Sequence, residues 1–345
     1  MGIPKEIYRK KIENIEEEIE VISRIDKLNA RLHNYNWLFL HPYNQGYEIE
    51  LFEGLIESPD HALAEEKIYE RYAKKFLDLR LTVTMIEGFY RKRPFLSDFI
   101  TQIEESVILC LQKDFSGAIN LLIPVIEGSL RNYLVSKRGD QAKSIIKMSD
   151  LSAAAFREMT NDYVNLHKEY LNTNDYYSRL GGFDVNQENQ ILKKNREYFG
   201  LWIKQLNDYL NHNLYLDTRK TDRINDDFNR HNLVHGLNKI NYSFKNYLRL
   251  INCINFLSWA FGNITKGSSV LAIVDDKLVN TKWVEYFKIL TISESLTETK
   301  SKIYQYEIES FRKYIDKALL KPLSISEILH KQLLKVNDIF IGKKA

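Results

Sequence analysis

The sequence is short of the residues that interrupt helices. Six prolines and 14 glycines in 345 residues are too few for a turn-rich β fold and favour long helices. Cysteine is scarcer still. Cys110 and Cys253 both fall in apolar helical patterns, which argues against a disulfide framework or a zinc knuckle and reads as reduced core thiols. No apolar run reaches membrane-spanning length; INCINFLSWAF is the nearest and falls short. The opening stretch, MGIPKEIYRKKIENIEEEIE, lacks the apolar core of a signal peptide. These absences predict a cytoplasmic protein without membrane contact. An excess of one charge is also missing. With 49 basic and 46 acidic residues the net charge is +3, so only a local basic patch would speak for nucleic acid.

What is present suits a helical protein. Hydrophobic residues make up 44% of the chain, enough for a core, and the length allows two domains or one domain with extensions. Tyr8, Ile12, Ile15, Ile19, Ile22, Ile25 and Leu28 recur at alternating spacings of four and three. That predicts a long amphipathic helix whose narrow seam packs on its own domain or on a partner helix. Ser58 and Pro59 read as the start of a helix that runs on to the RKRP at 91–94. There Arg91, Lys92 and Arg93 form either a solvated helix end or a phosphate contact.

A second helical region covers Phe95 to Lys137, with a stripe of Phe99, Ile103, Val107, Cys110 and Leu111. Asp114 is placed to cap its second half, and Pro124 predicts a kink or a break. Glu127 and Arg131 stand four apart, acid first, as in a surface ion pair. From Gly139 to Asn195 the pattern loosens and predicts a loop-rich insertion. Periodicity returns at YFGLWIKQLNDYLNHNLYL. SVLAIVDDKLV (269–279) reads as a short hairpin, and IYQYEIESFRKYIDKALL as a further amphipathic helix.

One stretch stands apart. FNRHNLVHGLN, residues 228–238, places Arg230, His231 and His235 within six positions, in a chain with eight histidines. It is followed by a stripe of Leu233, Leu237, Ile240, Phe244, Tyr247, Ile251 and Ile254, predicting one continuous helix. On that helix His231 and His235 lie roughly 160° and 200° from Leu233, away from the buried side. Asn238 and Tyr242 project with them, and Gly236 permits close approach of another backbone.

Three readings compete for this face. It is a solvated surface; or the histidines share a metal ion; or it carries metal-free phosphodiester chemistry. The metal reading lacks an acidic residue between the histidines and a third ligand, and Arg230 would repel a cation.

RHNLVHG resembles the RxxxxH signature of the HEPN (higher eukaryotes and prokaryotes nucleotide-binding) superfamily. Arg230 and His235 match its fixed residues, His231 the polar position after the arginine, and Gly236 the following glycine. Upstream, DFSGAINLLIPVIEGSLRNYL is similar to the preceding helices of the abortive-infection-like group, where a proline, a glutamate and an arginine recur. The likeness covers about residues 95–262. It implies an all-α, HEPN-like helical bundle with an insertion at about 139–195, flanked by helical regions at 1–94 and 263–345.

That resemblance further implies a homodimer with two motifs in a shared cleft and metal-independent cleavage of RNA. His235 would move a proton to or from the ribose-phosphate linkage, and Arg230 would stabilise the phosphorane oxygens. His231 and Asn232 would orient His235 or the phosphate, Tyr242 would line the site, and Glu127 and Arg131 would stand behind it. No cofactor or metal is implied. A toxin or phage-defence role adds an antitoxin or regulatory protein to RNA as partners. The alternative within the same family is a non-catalytic module that binds nucleic acid or nucleotide and dimerises. A purely helical scaffold built on the N-terminal isoleucine seam is a third reading.

Overall fold

The structure, a computed structural model, describes residues 3–40, 46–216, 228–230, 242–268 and 274–307, with side chains through Leu296. Among these residues there are eleven α-helices and no strand, an all-α fold. No helix among them is long and apolar enough to cross a membrane.

The isoleucine seam forms α1, Lys5–Leu32. It is spent inside the protein. Ile22, Ile25, Leu28 and Leu32 are buried in the main core, while Ile15 joins Leu171 and Ile191 in a smaller cluster. The partner is α9, Val185–Tyr209, which lies along α1 and also along α7, Met148–Thr173. The seam is therefore no free dimer surface.

Four sequence expectations are corrected by capping chemistry and packing. First, the helix expected from Ser58 is two helices. α2, Tyr47–Glu57, ends at an extended Ser58. α3, His61–Leu77, is capped by Asp60, whose carboxylate accepts the Leu63 N–H at 3.0 Å. α4, Leu79–Gly88, is capped by Asp78, which accepts the Leu81 N–H at 3.1 Å. A carboxylate that satisfies a free helix-end N–H favours a new start over continuation.

Second, α6 is one helix, Phe115–Arg138, running through Pro124 behind the expected Asp114 cap. Pro124 and Asn120, the residue one turn back, are both exposed, so water can serve the carbonyl that the proline leaves unbonded. The preceding α5, Ile100–Leu111, buries Ile103, Val107, Cys110 and Leu111 as its stripe predicts.

Third, the region 139–195 is not loop-rich. α7 occupies 26 of its residues and buries Leu151, Ala155, Phe156, Met159 and Tyr163 between α6 and α9. Small and polar residues dilute that stripe in the sequence. The irregular part is short. It holds α8, Asp175–Arg179, then Gly181 and Gly182 with φ of 97° and 72°. A capping box between Asp184 and Gln187 then opens α9.

Fourth, of the hairpin expected at 269–279, residues 269–273 lie outside the described residues and the rest gives way to helix from Asp276. α11 runs Asp276–Glu307 and buries Val279, Trp283, Tyr286, Phe287 and Leu290. The C-terminal amphipathic helix expected at 303–320 lies mostly outside the described residues.

The core is continuous from Ile22 to Leu290, with no break at positions 94 or 262. An unusual element runs through it. Residues Trp37 to Leu40 carry no regular secondary structure and are almost wholly buried. A buried backbone without a ladder must find its hydrogen bonds in side chains. Here Asn29 of α1 bonds both polar groups of Phe39. Tyr72 of α3 donates to the Leu38 carbonyl at 2.8 Å, and Asn252 of α10, Phe244–Asn263, donates to it at 2.5 Å.

Candidate functional site

α9 does not end in a plain cap. Its last turn widens into a π-helix over Leu210–Leu214, and the Tyr215 N–H closes it on the Leu210 carbonyl at 2.7 Å. Leu216 follows, and its carbonyl accepts the Asn229 side-chain amide at 2.8 Å. Asn229 is buried, as is Phe228 before it. Two buried residues thus fix the chain immediately ahead of Arg230.

Phe228 stacks near Tyr209, and its ring lies 5.5 Å from the guanidinium carbon of Arg249. Arg249 is itself buried. It donates to the Tyr35 carbonyl at 2.7 Å and to Asn246 at 2.6 Å, lies 5.2 Å from the Trp37 ring, and pairs with Glu65 at 3.4 Å. The start of the motif is therefore tied through one guanidinium to the buried segment around Trp37.

Arg230 leaves this anchor for the surface. Its side chain is 42% exposed and meets Glu127 of α6 across 103 positions of chain. The Arg230 Nε stands against Glu127 Oε1 as an ion pair without the alignment of a hydrogen bond, while Nη2 donates to Oε2 at 3.4 Å. Glu127 does not pair with Arg131 as the sequence suggests. Arg131 instead donates to the backbone carbonyl of Ile145 at 3.0 Å and, at the limit of bonding, to that of Ala142 at 3.5 Å. An i,i+4 pair is worth only a few tenths of a kcal/mol, so cross-helix partners easily displace it.

Tyr215 is the residue that sequence reasoning missed. The residue is partly exposed but its hydroxyl is buried. Glu127, Arg230 and Cys253 all act on it. Burial first, and then the Glu127 carboxylate, push its phenol far above the ordinary tyrosine range, so it stays protonated. The sequence held one cue, a tyrosine closing an apolar repeat ahead of the polar DTRKTDRINDD.

The other motif residues stand as follows. His231, Asn232, His235 and Asn238 lie outside the described residues. Tyr242 is half-buried against the core and precedes α10. The continuous helix expected from Leu233 to Ile254 does not reach back that far. Ser243 is extended, with φ −125° and ψ 156°, and its side chain accepts the Asn246 N–H at 3.2 Å. α10 therefore starts at Phe244, and the motif does not sit at its head. From Tyr247 onward the predicted stripe is buried as expected. Arg91 and Arg93 of the basic cluster at 91–93 find partners within the chain. Arg91 pairs with Glu87 and Glu104, and Arg93 is buried against Ser268.

No group of three or more His, Cys, Asp or Glu among the described residues can hold a metal ion. A cavity of about 100 Å³ opens between α3, α4, α5 and α10, lined by Tyr72, Phe76, Met85, Tyr90, Leu248 and Asn255 among others. None of its lining residues belongs to the Arg230 cluster.

The class defined by this architecture is an all-α helical protein with a guanidinium-carboxylate-phenol cluster at the surface end of a buried anchor. No family model, curated protein or solved structure matches the chain.

Proposed function

We propose that this chain is a metal-independent endoribonuclease of the HEPN type, a cytoplasmic toxin or phage-defence effector that acts as a homodimer. The reading rests on the RxxxxH residues themselves. The observation that carries it is the setting of Arg230: a half-exposed guanidinium on a buried anchor, facing a carboxylate from the helix pair that the sequence likeness singles out. A cation held in place but open to solvent suits a phosphate, since positioning and charge supply most of the catalysis in such chemistry.

In the proposed reaction the ribose 2′-oxygen attacks phosphorus. The bond from phosphorus to the 5′-oxygen breaks as the new ring closes. His235 takes the 2′-hydroxyl proton or delivers one to the departing 5′-oxygen, and Arg230 balances charge on the non-bridging oxygens. The products are a 2′,3′-cyclic phosphate and a 5′-hydroxyl. DNA, without the 2′-hydroxyl, is not cut by this route.

The test is cleavage of RNA by the purified full-length protein in EDTA, with end-group analysis. Cyclic phosphate ends, lost in both Arg230→Ala and His235→Ala while the circular dichroism spectrum is unchanged, support the assignment. Cutting that persists in both variants removes it. RNA binding without cutting moves the chain to the non-catalytic binding module.

A further inference from the structure

The cavity between α3, α4, α5 and α10 lies apart from Arg230 and has a chemistry of its own. Its volume is about 100 Å³. The floor is apolar, with Phe76, Ile86, Val107 and Leu248 all buried. The mouth lies where Leu81 is exposed and Lys75, Met85 and Asn255 are half-buried. An apolar cavity of roughly 150 Å³ takes benzene. A space of the present size, open on one side, holds little more than one six-membered ring.

Most polar groups on the wall are already spent. The Tyr72 hydroxyl donates to the Leu38 carbonyl at 2.8 Å, and the Thr82 hydroxyl to the Phe76 carbonyl at 2.6 Å. Tyr90 donates to Asn255 Oδ1, and Asn252 Nδ2 donates to the Leu38 carbonyl. These bonds fix which way both amides point. Two side-chain atoms are left without a hydrogen-bond partner among the described residues: Asn255 Nδ2, a donor, and Asn252 Oδ1, an acceptor. The two asparagines stand three apart on α10, hence on one face, and both line the cavity.

A hydroxyl is the smallest organic group that answers both atoms, since its oxygen accepts and its proton is donated. A carboxylate has no proton for Asn252, and Lys75, the cation on the wall, already holds the buried Glu48 at 2.8 Å. A bare hydrocarbon would seal both amide atoms from water and serve neither. The rings of Tyr72, Phe76 and Tyr90 offer edge and face contacts to an aromatic guest. We infer that this cavity is a binding site for a small neutral phenol, its ring on the apolar floor and its hydroxyl between Asn252 and Asn255. The site goes beyond the proposed action on RNA and does not depend on it.

Methionine methyl groups give the test. The chain has four methionines; Met85 lines the cavity, while Met148 and Met159 lie on α7. The full-length protein, isotope-labelled at the methionine methyls and read by NMR, thus carries its own controls, and Met85→Leu assigns the reporting signal. Phenol, toluene and benzoate are titrated separately. Phenol shifts the Met85 signal to saturation, leaves Met148 and Met159 in place, and binds several-fold more tightly than toluene or benzoate. Asn255→Asp keeps the oxygen that Tyr90 uses and removes the donor. Phenol then binds about three- to tenfold more weakly, the scale of one hydrogen bond, while toluene is unchanged.

Toluene as tight as phenol overturns the assignment and leaves an apolar void. Benzoate tighter than phenol overturns it in favour of an anion site at Lys75. A Met85 signal that stays in place up to the solubility of phenol, or one that moves only together with Met148 and Met159, removes the site. So does an Asn255→Asp variant that binds phenol as wild type does. If that variant fails to fold, the three wild-type titrations decide alone.

Discussion

Asn29 meets Phe39 as one peptide group meets another. The Asn29 side chain accepts the Phe39 N–H at 2.6 Å and donates to its carbonyl at 3.1 Å, and also donates to Gln205 of α9 at 2.7 Å. One amide thereby replaces a neighbouring strand for a backbone that has none.

Asn29→Leu keeps the size of the side chain but orphans two buried backbone groups. The expected loss is about 2–4 kcal/mol, the scale of two unsatisfied buried groups. Urea unfolding followed by circular dichroism measures it.

Arg249→Met removes the link between the buried segment around Trp37 and Phe228. The hydrogen bonds to Tyr35 and Asn246 go with it, and an expected cost of about 3–5 kcal/mol follows from breaking a buried charged network. Arg249→Lys keeps charge without the planar fork and recovers only part. Because Phe228 then loses its stacking partner, RNA binding at low temperature, where the variant is still folded, weakens as well. Intact binding in a destabilised Arg249→Met protein would break the proposed tie between anchor and site.

Acid weakens the protein through His33. Burial, and next the facing His212 with Lys204 farther out, hold its imidazole down to about 4, against the opposing pull of Asp208 and Asp26. In the unfolded chain the imidazole titrates near about 6.5. Between these values the unfolded state binds a proton that the folded state refuses, so stability falls as pH drops from about 6.5 towards 4 and this contribution levels off below. The expected loss is roughly 1–3 kcal/mol. The comparison is urea unfolding of wild type and His33→Gln at pH 7 and pH 5. A flatter pH dependence in the variant is the expected result, and parallel curves would clear His33 of the effect.

Gly128 stands beside Glu127 because Phe99 leaves no room for a side chain. A Cβ added there would fall into the Phe99 ring. Gly128→Ala is expected to cost about 1–3 kcal/mol, as overpacking does, despite the better helix propensity of alanine. Phe99→Leu in the same chain should restore part of the loss in thermal unfolding. An alanine variant as stable as wild type would mean that the ring turns aside freely.

Much of this architecture was legible in periodicity. The α1 seam and the α5 stripe bury most of the residues that their spacing marks, with Tyr8, Ile12, Ile19 and Phe99 only partly covered, and the Tyr247–Ile254 face is buried throughout. Spacing failed where packing uses small or polar groups. α7 fits against its neighbours through Ala155 and Ser152 as well as Met159, and a stripe with so little apolar contrast looks like loop. It also overran at Ser243, since the stripe continues through a residue whose hydroxyl caps the start of α10. For the site, Arg230 and Glu127 were both marked in the sequence, but their pairing was not. No local pattern relates positions 103 apart, and none reveals the π-turn that precedes Tyr215.

The thread from Trp37 to Leu40 also bears on how the chain is made. Synthesis delivers it early, yet one of the donors to Leu38 is Asn252, more than two hundred residues later. Until that asparagine emerges, the thread has unfinished business, and a nascent chain holding Arg230 has nothing rigid to brace it against. Contacts so remote in order make for slow closure. The core thus closes only after α10 has emerged, and a ribosome paused before that point carries an incomplete bundle.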